Sequence, residues 1–304
     1  MNNTTELKEL AIQLHSDRAY EKEISQFNAS TRNKILMIHV IFLLTLFFYT
    51  LYPRHVYFTP LFILINGFFS LPYLRVFMHA DLHWRVVRNK KLKFYIRWII
   101  FGFYQIPFIL YRYAHKAYHR EYIYEIDKIN LLQIKQSKYL NPTTIESKKN
   151  ITGILNFSFI LIFYNQMKYF IRESSKKDKI KVMTQLIIII ILDTLVYSIS
   201  KDFFLYIFIP SIMIAWTISL IVIYMKHNIQ RDQANIHLAV NSYSRLSNRF
   251  GDNDGLYIVH SLFPFLHPYH TPEIDQEIRS NLNDKQKLKT HYVIVFFKNL
   301  FTLD

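Results

Sequence analysis

The chain contains no cysteine. Disulfides, thiolate metal sites, iron–sulfur clusters and cysteine nucleophiles are therefore excluded, and any bound metal must be held by nitrogen and oxygen. Glycine is nearly as scarce, with 5 in 304 residues, and proline contributes 9. No G-x-G-x-x-G, P-loop or G-x-S-x-G stretch occurs, and no second domain is left over to bind flavin, nicotinamide or haem. Acidic residues are also few: 22 against 37 Lys and Arg, a formal charge of +15. The basic residues lie in short strings between apolar blocks, without a zinc-finger, RRM or KH pattern. A membrane surface explains that charge, and nucleic acid is not an expected partner. The opening stretch MNNTTELKELAIQLHSDRAYEKEISQFNASTRNK lacks the early apolar core of a secretory signal, so no cleaved leader is expected.

What is abundant is apolar and aromatic: 51% of residues are hydrophobic and 17% aromatic. They gather in blocks at 35–52, 57–78, 183–199 and 203–225. Each block can cross a hydrocarbon core about 30 Å thick at about 1.5 Å per residue. The short links between the first two and the last two make two helical hairpins. Blocks at 94–111 and 151–171 carry Arg97, Gln105 and Pro107, and Asn156, Asn165, Gln166 and Lys168, and read as interfacial or re-entrant. Arg32 and Lys34, the strings at 85–97 and 172–181, and Lys226 with Arg231 then share one side, cytoplasmic by the positive-inside rule. The expected fold is an all-α integral membrane protein: four transmembrane helices in two hairpins with a helical cytoplasmic cap. Residues 1–34 are a cytoplasmic N-terminal segment, 35–275 the membrane domain and 276–304 a cytoplasmic tail.

Chemistry is expected on the cytoplasmic face, where histidines collect. HADLH places His79 and His83 one helical turn apart at a block edge. Composition alone yields roughly half an H-x-x-x-H pair, so one match means little. A second pair, His115 and His119 in RYAHKAYHRE, follows 36 residues later at a comparable edge. His260, His267 and His270 follow in NDGLYIVHSLFPFLHPYHTPEI. Five or more imidazoles exceed one tetrahedral site and suit a two-metal centre.

This order of H-x-x-x-H, H-x-x-x-H and N-x-G-x-x-x-x-H-x-L-x-P-x-L-H resembles the integral-membrane fatty acid desaturase family and its hydroxylase and ketolase relatives, over residues 35–275. The resemblance implies two irons that activate dioxygen against a lipid C–H bond, a lipid or acyl-chain substrate, and electrons from a separate donor protein. It implies His79, His83, His115, His119 and His260 as metal ligands, with Asp81 and Asn253 supporting them. The pattern departs from the family at three histidine positions, occupied here by Tyr118, Tyr257 and Ser261. Tyr118 and Tyr257 are then substitute ligands, and His267 and His270 additional ones, with His227 and His237 as unassigned donors; decay of the site is the alternative. A desaturase-fold protein without activity that binds lipid or a partner is therefore a second functional reading, and a transporter a third. Asp193 inside an apolar block is either a helix contact or an intramembrane functional group, and lone His39 reads as helix packing.

Overall fold

A computed structural model describes residues 4–52, 56–84, 86–121, 123–126, 132–135, 167–228 and 239–301. The described residues are mostly helical. Among the described residues, four helices are long and apolar enough to span a membrane: Arg18–Leu51, Thr59–Trp84, Lys176–Ile199 and Lys201–Ile223. All four expected blocks are therefore helical, and the architecture is that of an integral membrane protein. Large apolar side chains such as Leu44, Phe47, Ile190 and Met213 are more than half exposed on these helices. Water would penalise such surfaces, whereas lipid does not.

The described residues fall into two compact units. One comprises Ser30–Ala117 and Leu155–Ser219. It contains most of α2 (Glu21–Leu51), all of α3 (Thr59–Trp84), α4 (Lys90–Tyr104), most of α5 (Phe108–Glu121), α6 (Lys176–Ile199) and the first half of α7 (Ile209–Asn228). Its core is aromatic: the Phe42 and Phe103 rings stack at 4.0 Å, and Phe203 and Phe208 meet Phe42 edge-on at 5.4 and 5.5 Å. Gly67 lies in a π-helical turn of α3, Leu64–Ser70, where a Cβ would stand 3.2 Å from the Ile214 side chain and the Ser211 carbonyl. A larger residue there would push α3 away from α7.

The 94–111 block, expected to be interfacial or re-entrant, is not one continuous helix. It splits into α4 and α5 at 105–107, where Gln105 takes a left-handed φ of 61° and Pro107 supplies no backbone N–H. The break is satisfied locally: Gln105 Nε2 donates to the Gly102 carbonyl at 2.7 Å and Trp216 Nε1 to the Tyr104 carbonyl at 2.8 Å. Gln105 also donates to Asp193 at 2.9 Å, so the intramembrane carboxyl is a helix contact. Of the 151–171 block, residues 151–166 lie outside the described residues.

The other unit comprises Met1–Ala29, Tyr118–Ile154 and Leu220–Asp304. The polar opening of the chain, expected only as a segment, is helical in α1 (Thr4–Ser16) and the start of α2. Leu7, Ala11 and Leu14 recur at i, i+4 and i+7 on α1, and pack with Ile258, Ile274 and Ile278. Those isoleucines belong to α8 (Tyr257–Leu262) and α9 (Thr271–Arg279); α10 (Tyr292–Phe301) ends the described chain. Two short strand pairs add to the helices: Ile123–Ile126 runs antiparallel to Leu132–Lys135, and Asn241–Ser242 parallel to Lys287–Leu288. Before α8 the chain turns tightly through Asp252 and Asn253, both at positive φ. Gly255 closes this turn, because a Cβ would lie 2.4 Å from both the Ser242 carbonyl and Asn248 Oδ1.

Candidate metal centre

The first histidine pair sits on the last turns of α3 and His115 in the third turn of α5. Spacing by four on α3 puts His79 and His83 on one face, their ring centroids 5.2 Å apart. The His115 ring is 4.7 Å from His79 and 4.8 Å from His83. His83 Nε2 and His115 Nε2 approach to 2.6 Å. Two neutral imidazoles cannot both aim lone pairs at each other so closely: one nitrogen carries a proton, or both address a common cation. Nitrogens bound about 2.1 Å from one metal at a tetrahedral angle stand about 3.4 Å apart, so loading requires a sub-ångström opening.

In this unit the ligand atoms of His79, His83 and His115 all lie within 4.8 Å of one another; His260 lies on α8 of the other unit. His79 is buried and the His83 and His115 rings half-buried, and the donor set is nitrogen alone, which suits iron, zinc or copper. Three imidazoles with a water are enough for one ion; a second requires further donors. The side chains of Tyr118, His119 and His227, and all of His237, lie outside the described residues.

The supporting residues have identifiable jobs. Tyr111, one turn before His115, stacks on its ring at 5.9 Å and 6°. Asp81, between His79 and His83, is completely buried and pairs with Lys93 Nζ at 3.0 Å and Arg97 Nη2 at 2.9 Å, so it ties α3 to α4. Asn253 donates from Nδ2 to the Pro268 carbonyl at 2.8 Å and thereby fixes the loop between α8 and α9.

Tyr257 packs in the core of its unit with Lys226 Nζ 5.0 Å from its ring centroid, and its ring lies 6.2 Å from that of His260. Lys226 itself is buried and pairs with Asp254 at 2.8 Å. His267 and His270 face the N-terminal helices. His267 Nε2 meets Asn28 Oδ1 at 3.2 Å and its ring packs edge-on to Phe27, while His270 packs edge-on to Tyr20 and meets Glu273 at 3.3 Å. Burial, with His270 and His15 nearby, lowers the His267 pKa to about 4, which keeps the ring neutral.

Sequence reasoning missed Asn241. It is fully buried, accepts at 2.8 Å from the backbone N–H of Ile258 in the first turn of α8, and donates at 2.7 Å to Asp275 Oδ1. It caps the short helix that carries His260 from a distant strand; no spacing rule could have found it.

The family model described as fatty acid desaturase matches residues 55–293. No curated protein and no solved structure gives a significant match.

Proposed function

The chain belongs to the fatty acid desaturase family, and from that premise we propose that it is a membrane-bound non-haem iron oxidoreductase acting on a fatty acyl or similar lipid chain with dioxygen. The reaction is desaturation or hydroxylation. The observation that carries the reading is the convergence of His79, His83 and His115. An all-nitrogen donor set with no thiolate fits iron. His119 and His260 are the further imidazoles of this reading, with Tyr118 and Tyr257 standing where the family places histidines and Asp81 and Asn253 supporting the ligand-bearing helices. Bound there, iron supplies dioxygen activation and hydrogen abstraction.

The chain's own residues do the rest. Neutral imidazoles present their lone pairs, and Tyr111 and Asp81 hold the rings and helices that set their directions. Apolar helices admit a hydrocarbon chain from the bilayer and keep water from the reacting carbon. Residues 35–275 form the catalytic domain, 1–34 and 276–304 are its cytoplasmic ends, and electrons arrive from a separate donor protein.

A second reading, a retained fold that binds lipid or a partner without metal chemistry, is favoured by Tyr257 and Ser261 at family histidine positions. Iron content of purified protein, with lipid products of membranes supplied with dioxygen and reductant, separates the two. Bound iron and oxidised acyl chains, both lost in a His79→Ala/His115→Ala variant, are expected; metal-free protein with unaltered lipids would select the second reading.

A further inference from the structure

Three helices meet beside the histidine cluster through one guanidinium. Arg97 on α4 donates to Asp81 Oδ2 from Nη2 at 2.9 Å and from Nε at 3.3 Å. Its other face covers the Phe108 ring, 4.1 Å from the centroid. Asp81 lies between His79 and His83 on α3, and Phe108 opens α5, seven residues before His115 and on the same helical face.

We infer that Arg97 is a positioning residue that sets the separation between the histidine pair of α3 and His115 of α5. This rests on the proposed function only in giving that separation a metal to serve. Lys93 also pairs with Asp81, at Oδ1, so Arg97 is not needed merely to neutralise the carboxylate. What only Arg97 supplies is a planar group that engages a carboxylate at its edge and a ring on its face at once. An ammonium in its place could do one or the other. The link between α4 and α5 is three residues with a left-handed Gln105, so the Arg97–Phe108 contact fixes the angle at which α5 leaves that break.

The absence of cysteine makes a metal-independent test direct. A His83→Cys/His115→Cys protein carrying two nitroxides reports the separation by dipolar broadening of its EPR spectrum. Broadening is expected in that parent, lost when Arg97→Met is added, and reduced with Arg97→Lys or Phe108→Leu. If Arg97→Met does not fold, the two milder variants, which keep charge or apolar volume, decide the matter. Equal broadening in all backgrounds would overturn the inference. With native histidines, Arg97→Met should weaken iron binding about tenfold and shift the spectrum of any iron that remains. Iron-free native protein whose probe distance still depends on Arg97 would sink the proposed function and leave the positioning role standing. Bound iron with spectrum and probe distance indifferent to Arg97 would do the reverse.

Discussion

Replacing Asn241 by alanine should loosen the helix that carries His260 without touching any ligand. The side chain serves two buried groups: Oδ1 accepts from Ile258 N–H at 2.8 Å, and Nδ2 donates to Asp275 Oδ1 at 2.7 Å. Helix α8 spans only six residues, and Leu256 at its N-cap makes no side-chain hydrogen bond, so the lost acceptor has no local substitute. Asp275 keeps the Tyr243 hydroxyl at 3.0 Å, and burial raises its pKa, so it tolerates the loss better than the amide does. Each buried group left unsatisfied costs about 1–3 kcal/mol, which places Asn241→Ala at about 2–5 kcal/mol. In thermal unfolding of detergent-purified protein that is a drop on the order of 5–10 °C. Asp275→Asn, which retains an acceptor oxygen for both donors, should cost well under half as much. An Asn241→Ala protein within about 0.5 kcal/mol of the parent, the range of inert surface changes, would refute the capping role.

Two further outcomes follow from the same unit. His267 is neutral in the fold with a pKa near 4, against about 6.5 unfolded. Its stabilisation is therefore complete above about pH 6.5 and declines as pH falls towards 4, because the unfolded chain binds the extra proton. The loss approaches about 3 kcal/mol, and it should appear as a difference between native protein and His267→Asn in unfolding or proteolysis of residues 4–28 across that window; parallel pH profiles would count against it. Gly255→Ala should destabilise by about 3 kcal/mol or more, since one of its two 2.4 Å conflicts is with the Ser242 backbone carbonyl, which cannot rotate aside. Unchanged expression and melting of that variant would contradict the close approach.

Long-range polar contacts separate what was legible in the sequence from what was not. The four spans could be read because lipid demands unbroken apolar runs, and Arg97, Gln105 and Pro107 set the 94–111 block apart from them without showing where it breaks. His79, His83 and His115 could be read because i, i+4 spacing and block edges place imidazoles together. The helical character of residues 21–34 is not legible, because polar composition hides a helix continuous with the first span. His267 and His270 were candidate ligands by residue type, yet their observed contacts are with Tyr20, Phe27 and Asn28 from the opposite end of the chain. Asn241 and Arg97 act across 17 and 16 residues respectively, through geometry that no local pattern encodes.

Metal analysis by mass spectrometry on detergent-purified protein, beside the His79→Ala/His115→Ala variant, tests the central claim most directly. About two irons per chain, as the family's two-metal chemistry requires, should be present in the native protein and lost in the variant. No stoichiometric metal in the native protein would contradict it, and would leave a desaturase fold whose clustered histidines serve another end.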